Sequence, residues 1–281
     1  MVGMAQPRPI APVTESVDIT VRDAQFQSES LGRTMKYRII LPAGYDRAAH
    51  RYPVLYLLHG LTGDDTDWET KTRIDEYARQ YQLIIVMPDA GNSWYTNSIG
   101  RPNNRYEDYI ARDLVREVDD RYRTLRLRTA RFIGGLSMGG YGAMKLGLRY
   151  PQTFFFAASF SGAFGPVRTG VGANDRWPKA AVDEFNEIFG PVGSESRTAN
   201  DISTVIAKAD PKIAPFLYFD CGTEDALLES NREVGAQLQK AGFRFEYRER
   251  PGRHEWTYWD HQVREMLRLL AESADIDGPG R

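Results

Sequence analysis

The sequence predicts an α/β protein built on an open, mostly parallel sheet with helices on both faces. Two observations carry that expectation. From residue 53 onward the chain alternates short continuous apolar runs with helix-periodic stretches. Strands buried on both faces of a parallel sheet read as such runs, and alternation with helices is how that sheet is wound. Before residue 53 the pattern is different, with segments alternating apolar and polar residues in the manner of half-buried antiparallel strands.

In chain order, the alternating segments at 17–21 and 35–41 open the sheet, the second ending at the turn Pro42-Ala43-Gly44. The apolar runs at 54–58, 83–87, 131–133, 154–159, 216–219 and 243–247 supply the remaining strands, about eight in all. Helices fill the gaps at 68–81, 106–122, 137–150, 229–241 and 258–271, and Pro151 stops the third of these. One gap breaks the rhythm. Between 162 and 214 no strand pattern occurs, only Gly165-Pro166, Gly170, Gly172, Trp177-Pro178 and a helix-like stretch at 180–189. A long insertion at the end of the sheet where α/β sites form is expected to act as a lid or substrate wall. The 281 residues are expected to form one domain over 17–271, with flexible termini at 1–16 and 272–281.

Composition narrows the function classes. Lys and Arg number 36 against 38 Asp and Glu, so electrostatics gives no case for nucleic acid or an anionic membrane surface. Arg121, Arg123, Arg126 and Arg128 form a basic run, but Glu117, Asp119 and Asp120 precede it, as at a solvated helix end. The single cysteine, Cys221, excludes an internal disulfide and fits a reducing, cytoplasmic setting; a buried, inert thiol is expected. Residues 1–16 contain three prolines and no apolar core of a signal peptide, and no apolar run approaches the roughly 18 residues of a membrane span. A homo-oligomer is neither indicated nor excluded.

The chemistry centres on Gly135-Leu136-Ser137-Met138-Gly139, directly after the apolar run at 131–134 and before a helical pattern. GxSxG between a strand and a helix is the sharp turn that raises a serine hydroxyl above the sheet of an α/β-hydrolase. A serine needs a base held in one tautomer by a carboxylate. Of four histidines, His254 lies after the last strand and before the last helix, where the order Ser, acid, His places the base. His50 reads as a surface residue and His261 as part of the C-terminal helix. The acid should follow the penultimate strand, in Gly222-Thr223-Glu224-Asp225. Asp225 is preferred, Glu224 is its rival, and Asp220 is disfavoured because it still lies in the strand. The Met138 N–H supplies one oxyanion donor by construction of the turn. Leu61, in the glycine-flanked loop His59-Gly60-Leu61-Thr62-Gly63, supplies the second. His59 is expected to shape that loop, not to act as base. Trp94, Tyr95 and Trp177 are candidate walls of an apolar pocket. The histidines lack metal-ligand spacing such as HExxH, so no metal or other cofactor is expected.

Five segments together, 59–63, 91–98, 135–142, 221–225 and 252–256, make the chain resemble the putative-esterase family over roughly residues 17–270. That family includes tributyrin esterases, esterase D/S-formylglutathione hydrolases, feruloyl esterases and mycolyltransferases, and the chain is most similar to the tributyrin-esterase branch. The resemblance implies a serine carboxylesterase with Ser137, Asp225 and His254 as triad, Leu61 and Met138 as oxyanion donors, and a small ester of short acyl or aromatic type as substrate. Gly63 stands where S-formylglutathione hydrolases usually carry cysteine, a departure that counts against a specialised glutathione-thioester role. An acyltransferase using the same triad, an S-formylglutathione hydrolase-like thioesterase, and a binding protein that kept the fold without the chemistry are the competing readings.

Overall fold

The structure is a computed structural model and describes residues 18–171 and 177–275. One eight-stranded sheet organises them, in the order β1-β2-β4-β3-β5-β6-β7-β8. The strands are β1 (Thr20–Ser28), β2 (Arg33–Leu41), β3 (Val54–Leu58), β4 (Ile84–Pro88), β5 (Arg131–Leu136), β6 (Phe156–Phe160), β7 (Phe216–Gly222) and β8 (Phe245–Arg250). β2 runs antiparallel to β1 and β4, and every pair from β4 through β3, β5, β6 and β7 to β8 is parallel.

The helices are α1 (Asp67–Lys71), α2 (Ile74–Ala78), α3 (Tyr106–Asp108), α4 (Val115–Arg121), α5 (Met138–Arg149), α6 (Gly165–Thr169), α7 (Lys179–Phe189), α8 (Glu195–Asn200), α9 (Ile202–Lys208), α10 (Leu228–Lys240) and α11 (Trp256–Asp275). The continuous apolar runs of β3, β4 and β5 are buried on both faces. Tyr56, Leu58, Val86 and Ile133 pack on one face with Ala143 and Leu146 of α5, while Leu55, Leu57, Ile85 and Phe132 pack on the other with Val263 and Met266 of α11. Each of the Val, Leu, Ile, Phe and Met side chains among them contributes about 1.5–3 kcal/mol on full burial. This double-sided burial fixes the height at which the strand ends present their loops.

The α/β sheet of eight strands expected from the sequence is the one observed, with local differences. The first strand lies at Thr20–Ser28, not at 17–21, of which Val17 lies outside the described residues. Its register is set by pairing with β2 from Thr20↔Leu41 to Ser28↔Arg33. As an edge strand it carries polar residues outward and needs only Ala24, Phe26 and Ser28 inward, so its composition conceals it. The helix expected at 68–81 is two helices. Between them the Thr72 hydroxyl donates to the Trp68 carbonyl, and the Arg73 N–H donates to Asp260 Oδ1 at 2.8 Å, which diverts backbone groups from the helical ladder. The stretch expected as one helix at 106–122 passes through a π-helical segment, Tyr109–Leu114. Residues 272–275, expected in a flexible tail, continue α11; the remaining terminal residues and Gly172 lie outside the described residues. The insertion between β6 and β7 holds α6 to α9 and no strand among the described residues.

The basic run pairs as a solvated surface does, Arg121 with Glu117 at 3.2 Å and Arg126 with Asp120 at 3.1 Å. No helix among the described residues is long and apolar enough to cross a membrane.

Candidate active site

β5 delivers Ser137 at the tip of the turn into α5, with φ 53° and ψ −114°. That conformation is costly for a residue with a Cβ and is held by its surroundings. The Ser137 N–H donates to Phe160 O at 2.9 Å, and its carbonyl accepts from Ala163 N at 3.0 Å. A Cβ on Gly135 would meet the Gly139 carbonyl at 2.6 Å, and one on Gly139 would meet the Leu58 and His59 carbonyls at 2.5 Å. Both glycines of the pentapeptide are therefore required by close backbone approach.

His254 arrives from the loop after β8. Its Nε2 lies 3.0 Å from Ser137 Oγ and its Nδ1 lies 2.8 Å from Asp225 Oδ2. Asp225 sits in the loop after β7 with its side chain fully buried, and Oδ1 accepts the Leu227 N–H at 2.9 Å. Burial alone would push this carboxyl up; the hydrogen bonds from His254 and Leu227 outweigh it and hold the group below its usual range. The rival Glu224 points to solvent and pairs with Arg253 at 3.1 Å. Asp220 is buried in β7 beside Tyr218 and Tyr258, and burial pushes it up to about 8. Of the three carboxylates weighed from sequence, Asp225 alone hydrogen-bonds His254 among the described residues.

Near Ser137 lies the loop after β3. Gly60 is close enough that a Cβ on it would lie 3.7 Å from Ser137 Cβ. Neither the Leu61 N–H nor the Met138 N–H has a hydrogen-bond partner among the described residues. His59 is buried, and its Nε2 accepts the Ala90 N–H at 3.0 Å, so Nδ1 carries the proton that is donated to Gly60 O at 2.7 Å. Burial lowers its pKa, in keeping with a neutral ring that shapes the loop. A Cβ on Gly63 would lie 2.4 Å from Asp67 Oδ2, so Asp67 would have to shift to admit a side chain there. His50 and His261 are exposed, and Cys221 is buried with its thiol pushed up by burial.

A cavity of about 680 Å³ opens over Ser137 and His254, walled by Trp94, Trp177, Trp256, Trp259, Leu61 and Met138 among others. Trp94 and Trp177 thus lie where a pocket wall was expected. Tyr95 does not. It is fully buried away from the cavity lining, and its hydroxyl donates to His59 O at 2.8 Å. Trp94 and Tyr95 both have positive φ, 53° and 50°, and both are buried in the core.

Sequence reasoning missed Trp256 and Trp259 of α11. It also missed a buried charge cluster behind the site, where Lys145 Nζ meets Thr96 Oγ1 at 2.6 Å and Glu107 Oε2 at 3.1 Å. The available signal was a lysine among the apolar residues of α5. Burial lowers Lys145 to about 8.

A strained serine between a parallel strand and a helix, bonded through histidine to a buried aspartate, defines the α/β-hydrolase class. The chain belongs to the family described as Putative esterase, whose model matches residues 28–270. It is similar to an acetyl esterase of Caldicellulosiruptor saccharolyticus, 26% identical over 267 residues, which are 92% of this chain and 100% of that one. It is 30% identical over 251 residues to an esterase of Mycobacterium tuberculosis, a match covering 82% of this chain and 54% of that relative's length. Among solved structures, a fluorophosphonate-binding serine hydrolase of Staphylococcus aureus superposes with a TM-score of 0.80 at 25% identity, covering 90% of this chain and 99% of the other. Family and relatives make the chain a carboxylic ester hydrolase.

Proposed function

We propose that the chain is a serine carboxylesterase in which Ser137 is nucleophile, His254 base, Asp225 the residue that orients it, and Leu61 and Met138 the oxyanion donors. The observation that carries the reading is the unbroken hydrogen-bond chain Asp225–His254–Ser137, at 2.8 and 3.0 Å, on the floor of a tryptophan-walled cavity.

Ser137 Oγ attacks the ester carbonyl carbon while its proton passes to His254 Nε2. The carbonyl electron pair moves to oxygen and is held by the two backbone N–H groups, a term worth about 3 kcal/mol per donor. The tetrahedral centre collapses, the C–O bond to the alcohol breaks, and the departing oxygen takes the proton from His254. Water then repeats the sequence on the acyl-enzyme and releases the acid. Asp225 stays ionised, fixes the Nδ1–H tautomer and stabilises the imidazolium.

The apolar walls suit short acyl or small aromatic esters. The single cysteine, buried in β7, suits a reducing, cytoplasmic setting. The test of substrate class is a panel of p-nitrophenyl esters of increasing acyl length plus a feruloyl ester, with products analysed with and without an acceptor alcohol. Hydrolysis concentrated on short acyl or feruloyl esters supports the proposal. Predominant transfer to the alcohol would replace it with the acyltransferase reading, and no turnover of any ester with the binding reading.

A further inference from the structure

Tyr95 lies outside the cavity lining, yet it touches both halves of the oxyanion site. Its hydroxyl donates to the His59 carbonyl at 2.8 Å, two residues before the Leu61 N–H. Its ring lies against the nucleophile helix: a Cβ on Gly142 would meet Tyr95 Cδ2 at 2.5 Å, Cγ at 2.7 Å and Cβ at 2.9 Å. Met138, the other donor, begins that helix. The His59 carbonyl is itself pressed on the turn, since a Cβ on Gly139 would lie 2.5 Å from it. Hydroxyl, carbonyl and helix thus form one packed stack between the two donors.

The loop that carries Tyr95 grips the oxyanion loop at two more points. Ala90 N–H donates to His59 Nε2 at 3.0 Å, and Asn92 Oδ1 accepts the Thr62 N–H at 2.9 Å, where Thr62 has φ 64°. The loop holds Trp94 and Tyr95 in consecutive left-handed conformations, sparsely populated for bulky residues and kept only where the surroundings hold them. Burial pushes the phenol well above its ordinary pKa, so it remains a hydrogen-bond donor throughout the range in which an esterase works.

We infer that Tyr95 is a positioning residue for the oxyanion hole, its hydroxyl and ring fixing the separation and aim of the Leu61 and Met138 N–H groups. The inference rests on the reading in which those two groups hold the oxyanion. Preorganised donors act over tenths of an ångström, and a misplacement of 1 Å costs on the order of 100-fold in rate.

Tyr95→Phe keeps the ring and removes the hydroxyl. On a short p-nitrophenyl ester, with rates normalised by active-site titration, kcat should fall about 10- to 100-fold while KM stays within about twofold. The inhibition constant of an aryl trifluoromethyl ketone, whose hemiketal oxygen takes the oxyanion's place, should rise by the same factor. Gly142→Ala pushes the ring from the helix side and should give the same split; it decides the matter if Tyr95→Phe does not fold. A kcat and ketone affinity both within twofold of the parent, or a loss of kcat with unchanged ketone affinity, would overturn the inference. Ser137→Ala, run in parallel, separates the two levels. If it keeps hydrolysing esters, the underlying catalytic reading has failed. If it is inactive while Tyr95→Phe behaves as the parent, only the role of Tyr95 has failed.

Discussion

The His254 imidazole stands edge-to-face on the Trp259 indole, ring centroids 4.8 Å apart and planes at 89°. The indole N–H donates to Ser161 Oγ at 3.2 Å, and Ser161, itself at φ 48°, is fully buried near Asp225. His254 is therefore held by Asp225 at Nδ1 and braced by an aromatic wall, even though its own side chain is 37% exposed.

Replacing that wall should cost turnover. Trp259→Leu frees the imidazole to leave the line between Ser137 and Asp225, and kcat should fall about tenfold or more. Trp259→Phe keeps an aromatic face and should recover most of the loss. Steady-state kinetics of both variants on one ester checks the ordering.

The two neighbouring carboxylates should separate cleanly. Asp225→Asn presents an amide to Nδ1, favours the wrong tautomer and should lower kcat by up to about four orders of magnitude. Glu224→Gln breaks only the exposed pair with Arg253, the kind of contact worth about 0–1 kcal/mol, and should leave turnover within about twofold. Initial rates of the two amide variants are the measurement.

Asp220 makes a pH-dependent prediction about stability. Burial raises its pKa to about 8 in the folded state, against an ordinary value near 3.8. Between those values the folded chain binds the extra proton, so this group's contribution is present at low pH and is lost as pH climbs toward 8. The loss runs at no more than about 1.4 kcal/mol per pH unit. Asp220→Asn should match the parent near pH 4 and exceed its stability at pH 8 to 9, as read from denaturant midpoints across that range.

Trp177 should govern substrate choice more than folding. It is only partly buried and lines the cavity from the insertion between β6 and β7. Trp177→Ala should shift relative rates across an acyl-length series several-fold, with the melting temperature changed by only a few degrees. Unaltered relative rates would make the insertion a surface excursion.

What the sequence showed, and what it hid, follows from burial. The strands β3 to β7 were legible because residues such as Leu57 and Ile85 pack on one face while Tyr56 and Val86 pack on the other, which leaves continuous apolar runs. β1 was displaced because an edge strand needs apolar residues on one side only. Turn and strand-end positions pointed to Ser137 and His254 and to the loop that carries the acid, while the choice of Asp225 over Glu224 needed the side-chain geometry. Tyr95 was misplaced because aromatic character says nothing of which buried ring reaches a cavity: Trp94 lines it and Tyr95, next in the chain, does not. The break between α1 and α2 depends on Asp260, far away in sequence, which no local pattern announces.

The most direct test of the proposed mechanism is reaction of the purified protein with a fluorophosphonate probe, followed by peptide mapping and residual esterase assay. The account predicts one label per chain, on the Ser137 hydroxyl, with esterase activity lost in proportion, and neither label nor activity in Ser137→Ala. A label on another serine that accompanies inactivation, or a Ser137→Ala protein that still hydrolyses esters, would contradict it.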